Sequence, residues 1–531
     1  MSGERRIELN EVERIKKEKD GLDVMPDLLG YAKTGFASIP EDDFVRFRWF
    51  GLYQQRPNDG HFMLRVKIPG GELSSEQADV IARIARDYAH GFTDITTRQN
   101  FQFHWLTIED IPDVLARLDA VGISTSGACG DIPRNVTGCP VSGLDLDEVF
   151  DARPYVQRIH EFFLNNRDFS DLPRKYKLAI GGCPQHCFQP EINDISATAA
   201  LRDGEEGFHL RVGGGLSARP HLAQKLDMYV PGEKLVDVFR AVTEIFRDHG
   251  YRENRKRARL KFLVEDWGVE RFESEVRARL DWTPDPALPF EDPKKNFRDH
   301  VGIHAQRQPG LNWIGASVLS GRITADQLFE ASRIARRYGH SALRTTNQQN
   351  LIFPDIPDES VPEAASALGS IGLRHGVSPI RRAAVACTGN EFCNLALTET
   401  KQLISEIVEH LEKHVALDEL IRINLNGCPN SCGQHHIGDI GLQGCQVKQG
   451  GLKVEGYDVY LGGRLGRDAK FVRPIQRKIP ATQVKYALEN LLNGYSDHRD
   501  PDEDFGDFVD RNSDEELAGL MRTTFAVGVE A

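Results

Sequence analysis

Cys387-Thr-Gly-Asn-Glu-Phe-Cys393, joined some thirty residues later by Cys428-Pro-Asn-Ser-Cys432, is the stretch on which the reading of this chain turns. Four thiols in two close pairs converge on one metal centre once the intervening segment doubles back. Disulfides are disfavoured, because the chain shows no secretory signal and has only nine cysteines in 531 residues. Structural zinc prefers tighter C-x2-C or C-x4-C pairs, whereas an iron–sulfur cluster tolerates varied spacing. Spacing alone therefore favours a cluster and leaves zinc open.

A chain of 531 residues exceeds what one hydrophobic core supports, so two to four domains are expected. With 40% hydrophobic and 27% charged residues it has the composition of an ordinary globular protein. No apolar run approaches the roughly eighteen residues of a membrane span. Met1 to Asp20 alternates acids and bases without an apolar signal core, so a cytoplasmic location is expected. A net charge of −13 argues against nucleic acid as the main partner.

Outward from the cysteines, the chain repeats itself. Phe62-Met-Leu-Arg-Val-Lys-Ile68 reads as a strand, and Ser74 with Gln77 forms a capping-box signature. Val80, Ile81, Ile84 and Tyr88 then share a helix face, and Asp94 to His104 alternates as a strand. About 250 residues on, Gly321 matches Gly71 and Thr324 with Gln327 repeats the box. Ser332 to Tyr338 echoes Ala82 to Tyr88, and Thr345 to Asn350 echoes Thr96 to Asn100. Gly182-Cys-Pro184 with Cys187 likewise matches Gly427-Cys-Pro429 with Cys432. So many landmarks in register indicate a duplication. Residues 281–299, rich in proline, read as a linker, and residues 1–45 as an arm that wraps a neighbouring domain or subunit.

A duplicated fold needs one active site, so the differences between copies carry the chemistry. Cys139, Cys183 and Cys187 stand in register with Cys387, Cys428 and Cys432, but Asp145 falls where Cys393 would. Such a set suits a buried relic better than a metal site. Arg65 occupies the position of Gly315, while Arg134 lies in Gly130-Asp-Ile-Pro-Arg-Asn135 and Lys175 and Lys177 lie in Leu172-Pro-Arg-Lys-Tyr-Lys177. A lone cation is usually a solvated surface group. Cys129 is unpaired by the repeat, and a covalent link to Tyr53 is conceivable if Gly51-Leu-Tyr53 folds over the same cavity. Cys445 has no assigned role. The basic run Arg252, Arg255, Lys256, Arg257, Arg259 and Lys261 reads as a solvated helix face, a contact for an acidic cofactor, or a dock for an acidic electron carrier.

The cluster motif, running into Glu399-Thr-Lys401, with Asn426-Gly-Cys-Pro-Asn-Ser-Cys432-Gly-Gln434, resembles the signature of the sirohaem-containing nitrite and sulfite reductases. The resemblance covers nearly the whole chain. It implies an α+β fold with two pseudo-symmetric halves, each a small ferredoxin-like module followed by a larger α/β domain. The implied units are an arm at 1–45, a ferredoxin-like module at 46–125 and a first sirohaem-binding domain at 126–280. After the linker come a second module at 300–375 and the cluster domain at 376–531.

It further implies that Cys387, Cys393, Cys428 and Cys432 hold a 4Fe-4S cluster, with Cys432 bridging to the sirohaem iron. Arg65, Arg134, Lys175 and Lys177 would hold the oxyanion and supply protons. Arg98, Gln102 and His104, alternating along one strand, would meet the sirohaem carboxylates. The reaction implied is a six-electron reduction, nitrite to ammonia, with sulfite to sulfide as the alternative. The cluster motifs look more like nitrite reductases, whereas Lys177 and Phe47-Arg-Trp-Phe-Gly-Leu-Tyr53 look more like sulfite reductases. No Gly-x-Gly-x-x-Gly stretch follows a strand and opens a helix, so a separate carrier, ferredoxin, is the expected donor. A non-catalytic cluster-binding scaffold is the competing class, but it gives no reason for the cations to gather in the half opposite the cluster.

Overall fold

The duplication is visible strand for strand in the computed structural model, which describes residues 10–294 and 297–522. In the first half, Pro133–Gly138, Tyr176–Gly181, Ile195–Arg202, Glu205–Val212 and Gln224–Pro231 lie side by side in that order. The first two pairings are parallel and the last two antiparallel. Ala384–Ala386, Ile423–Asn426, Ile440–Gln449, Leu452–Leu461 and Arg473–Pro480 repeat the same order and senses. Each sheet buries its own core. Leu235–His249 contributes Val238, Val242 and Ile245 to the first, and Ala481–His498 contributes Val484, Leu488 and Leu491 to the second.

The small modules are less separable than their sequences suggest. Glu72–Ser74, from the first half, pairs with Ala342–Thr345 of the second, and Arg322–Thr324 of the second pairs with Phe92–Ile95 of the first. The halves thus exchange strands, and Ile81, Ile84, Leu328 and Ile334 fall in one shared core. Helices Ser75–Tyr88 and Ala325–Tyr338 both begin with the capping boxes read from sequence. Each box satisfies two otherwise orphaned backbone donors and contributes about 1 kcal/mol.

Side chains mark the pseudo-twofold relation. Gln99 Nε2 donates to the Thr345 carbonyl at 3.1 Å, and Gln349 Nε2 to that of Ile95 at 2.8 Å. Gln189 and Gln434, each two residues past the last cysteine of its half, exchange amide hydrogen bonds of 3.0 and 2.7 Å.

Residues 1–9 of the arm lie outside the described residues; the described part contains three α-helices, Glu11–Glu18, Met25–Thr34 and Glu41–Arg46, and folds onto its own chain. Val24 and Leu28 enter the shared core. Lys16 is 2.6 Å from Glu13 and 2.8 Å from Asp171, and it donates to the Leu172 carbonyl. The linker is pinned as well, since Arg211 pairs with Asp292 and Arg467 donates its backbone N–H to the Pro293 carbonyl. Among the described residues, no helix is long and apolar enough to cross a membrane.

Candidate active site

Both cluster segments leave the ends of neighbouring parallel strands. Cys387 follows Ala384–Ala386, and Cys428 follows Ile423–Asn426 by one glycine, so the loops emerge together. The Gly427 N–H donates to Cys387 Sγ at 3.3 Å, and Thr400 Oγ1 donates to the Cys387 carbonyl at 2.6 Å. Gly389 has φ +72°, and a Cβ there would sit 2.6 Å from Thr400 Oγ1, so this turn requires glycine. Lys401 is buried and lies 3.7 Å from Asp94, anchoring the loop to the shared core. Glu399, Thr400 and Lys401 therefore brace the cluster loop.

No three of these four thiols lie within 4.8 Å of one another. A single tetrahedral zinc with Zn–S of about 2.3 Å would draw its thiolates to about 3.8 Å apart. A cluster binds each thiolate to a different iron and suits the wider set. Burial, with Cys432 close by, pushes the Cys387 thiol up to about 12, so loading a cluster releases protons. Cys432 is exposed, unlike the other three, and its sulfur is the one available to a second centre.

The cations of the first half gather at that sulfur. Arg65, Lys175 and Lys177 all feel the Cys432 charge, and Arg134 acts on Lys175. Arg65 donates from Nε to Gln102 Oε1 at 2.9 Å and from Nη1 to Cys129 Sγ at 3.0 Å. Arg134 is held by the Gly130 and Ala128 carbonyls. The Lys175 and Lys177 ammonium groups have no hydrogen-bond or carboxylate partner among the described residues. Burial first, then Arg174 and Arg259, push Lys175 down to about 7, and burial with Arg98 depresses Lys177 strongly. Unpaired ammonium groups inside a protein are costly unless an anion arrives. That is the fit expected for a polycarboxylate macrocycle carrying an oxyanion beside Cys432.

The segment expected to meet the sirohaem carboxylates divides. Arg98 spends its terminal nitrogens on Asn193 Oδ1, at 2.8 Å, and on the Asn135 and Leu178 carbonyls, leaving Nε unpartnered. Gln102 links Arg65 to Thr388 of the cluster loop, with its Nε2 3.2 Å from Thr388 Oγ1. His104 lies beneath the cluster loop. It is wholly buried, 3.1 Å from Gln55 Oε1 and 3.4 Å from Asp94, with its ring stacked at 4.0 Å on Phe392. The register between Phe62–Arg65 and Phe101–Leu106 shifts opposite Met63, and Trp105 takes φ +67°. His104 supports the cluster loop from beneath.

The basic run is mostly neither a helix face nor an open dock. Residues 252–259 precede the helix Leu260–Trp267. Arg252 binds Glu13 and Asp171, Arg255 binds Asp131, and Arg257 binds Asp266. Arg259 pairs with Asp194 at 2.7 Å within reach of Lys175, and buried Lys261 is driven down to about 7. The run thus ties the arm to the first large domain and ends at the cationic site.

Tyr53 and Cys129 do approach the same guanidinium, Arg65, and act on each other electrostatically; burial first and then Cys129 push the Tyr53 phenol up to about 12. Arg48 lies over the Tyr53 ring at 5.6 Å. Cys445 sits in the strand Ile440–Gln449 beside Asp458. The sequence reading missed Lys67, which is buried next to Arg134 and pushed down to about 7. Its signal was present: it lies two residues past Arg65, and the second half has Ser317 there.

Two family models match this chain. The nitrite and sulphite reductase 4Fe-4S domain matches residues 129–284 and 379–518, and the nitrite/sulfite reductase ferredoxin-like half domain matches 53–121 and 304–371. A sulfite reductase (ferredoxin) 1 of Mycolicibacterium paratuberculosis is 38% identical over 96% of both chains. A ferredoxin–nitrite reductase of Leptolyngbya laminosa is 39% identical over 91% of this chain and 96% of its own. The solved structure of the Mycobacterium tuberculosis NirA protein superposes with a TM-score of 0.92 at 37% identity, covering 96% of this chain and 97% of that one. The chain belongs to the nitrite and sulfite reductase family, oxidoreductases whose cofactors are sirohaem and a 4Fe-4S cluster.

Proposed function

We propose that this protein carries out the six-electron reduction of sulfite to sulfide, with ferredoxin as its electron donor. The observation that carries the reading is the pair of unpartnered, largely buried ammonium groups of Lys175 and Lys177 beside Cys432, flanked by Arg65 and Arg134. Cys387, Cys393, Cys428 and Cys432 would hold the cluster, and exposed Cys432 with the neighbouring cations would meet the sirohaem. When bound, these groups supply single electrons at a metal-held substrate.

The chain's own residues do the rest. Arg65 and Arg134 present planar guanidinium groups to the oxyanion. Lys175, depressed toward neutrality, can give up a proton as oxygen leaves as water and regain one from solvent. Lys67 and Lys261 add cations around the same site and raise its affinity for carboxylates and oxyanions.

Sulfite carries up to two negative charges and nitrite one, so a site with Lys177 as a further cation favours sulfite. The stretches that look more like nitrite reductases, Cys387 to Cys393 with Glu399 to Lys401 and Asn426 to Gln434, form and brace the cluster loops, and Thr388 meets the cationic site through Gln102. Nitrite to ammonia is the second reading, supported by those motifs and by relatives of both kinds at nearly equal identity. Reliance on ferredoxin is supported by the relatives' names.

Anaerobic turnover with reduced ferredoxin, sulfite and nitrite offered in parallel, tests the reading. Sulfide release at the higher kcat/KM supports it. Ammonia release with little sulfide would establish the nitrite reading instead.

A further inference from the structure

We propose that Cys139, Cys183, Cys187 and His300 form a second metal centre, a single tetrahedral zinc ion that fastens the start of the second half to the first large domain. The ligand atoms of Cys139, Cys187 and His300 all lie within 4.8 Å of one another, and Cys183 Sγ is 3.7 Å from Cys187 Sγ. That spacing matches thiolates on one tetrahedral ion, about 3.8 Å apart for Zn–S of about 2.3 Å. The duplicate cysteines of the second half do not approach one another so closely. One loop frame thus presents two different donor sets.

His300 is the decisive member, and the repeat does not reveal it. It is 1% exposed, and neither ring nitrogen has a hydrogen-bond partner. Its backbone takes φ +57°, a left-handed conformation that a non-glycine residue adopts at a cost. A buried imidazole with both nitrogens unsatisfied is destabilising unless one of them ligates. Asp145, which stands at the position of Cys393, accepts from Arg298 at 2.6 Å with its Oδ2 4.0 Å from Cys183 Sγ, so it serves as an outer partner and the imidazole supplies the fourth donor.

The surroundings suit a closed structural site. Cys139, Cys183 and Cys187 are at most 4% exposed, and Val141, Leu144, Trp313 and Ile352 pack around them. The Gln185 N–H donates to Cys183 Sγ at 3.4 Å, the kind of outer hydrogen bond that stabilises a metal-bound thiolate. Three thiolates and a neutral imidazole leave a zinc centre with one net negative charge, and Arg298 lies within electrostatic reach of Cys183 and Cys187 to offset it. On loading, the three thiol protons pass to solvent and no electron is transferred. A Cys183–Cys187 disulfide would leave Cys139 and His300 unsatisfied.

The test uses the full-length holoenzyme, with zinc and iron measured by plasma mass spectrometry. About one zinc per chain is expected, with a zinc-edge absorption spectrum showing three sulfurs at about 2.3 Å and one nitrogen at about 2.0 Å. His300→Ala should lose that zinc while keeping its cluster iron. If the variant fails to fold, titrating wild-type thiols with a mercurial and following zinc release with a dye reads the same ligation. Absence of zinc with Cys139, Cys183 and Cys187 all recovered as free thiols, iron in the site instead, or zinc retained by folded His300→Ala, would each overturn the proposal.

Discussion

Gln102 of the first half donates a 3.2 Å hydrogen bond to Thr388 of the second, while its own amide oxygen accepts from Arg65. One amide therefore fixes a substrate-side guanidinium relative to the residue next to Cys387. Gln102→Leu should release Arg65 and lower kcat/KM for the oxyanion by about 10- to 100-fold, equivalent to one or two charge-assisted hydrogen bonds. Cluster iron content should be unchanged. Steady-state kinetics with an electron paramagnetic resonance spectrum of the reduced cluster checks both; loss of the cluster would assign Gln102 a structural role instead.

Lys175 separates charge from proton transfer. Lys175→Arg retains a cation but supplies no proton at neutral pH, so KM should change little while kcat falls by about 10²-fold or more. Lys175→Met should lose both. In the wild type, the donor must be protonated, and its pKa is about 7 before any anion binds. Bound carboxylates and oxyanion raise that value, so kcat should hold through neutrality and decline above it. A pH–rate profile of wild type and Lys175→Arg is the measurement, and the alkaline limb should disappear in the variant.

The arm is fastened by a buried charge network rather than by surface pairs. Glu13 and Lys16 are 2.6 Å apart, with side chains 2% exposed, and Arg252 binds Glu13 at 2.8 Å. Removing one member strands its partners, at a cost of about 3–5 kcal/mol. Glu13→Ala should lower the denaturation midpoint accordingly, whereas Arg14→Ala, which breaks exposed pairs with Glu18 and Asp42, should be nearly neutral.

Burial, with Lys67 nearby, holds His160 at about 3. A histidine depressed in the folded state leaves stability intact above its unfolded value of about 6.5 and loses it as pH falls from there toward the folded value. By pH 5 the loss is about 2 kcal/mol. Chemical denaturation of wild type and His160→Gln between pH 8 and pH 5 should show a shallower acid decline in the variant.

Local pattern made the duplication, both capping boxes and the cluster loops legible, because each depends on residues close in sequence. The strand exchange was hidden, since the pairing of Glu72–Ser74 with Ala342–Thr345 joins segments some 270 residues apart and leaves no local periodicity. The burial of His104 against Phe392 and Asp94 was not legible, because those neighbours come from other strands and loops. The ion pairs of Arg252 and Arg255 were not legible in the sequence because their carboxylates, Glu13 and Asp131, lie far away along the chain. Lys175 and Lys177 stand out in the sequence only through the family resemblance of Leu172 to Lys177, and the fold shows that no carboxylate among the described residues neutralises them.

The most direct test of the central claim, that the cations beside Cys432 select the oxyanion, is the ratio of kcat/KM for sulfite to that for nitrite in the wild type and in Lys177→Asn. The account predicts a ratio above unity in the wild type that falls by about tenfold or more in the variant, the effect of roughly 1.4 kcal/mol of charge selectivity. A ratio that is below unity at the outset, or that the substitution leaves unchanged, would contradict it.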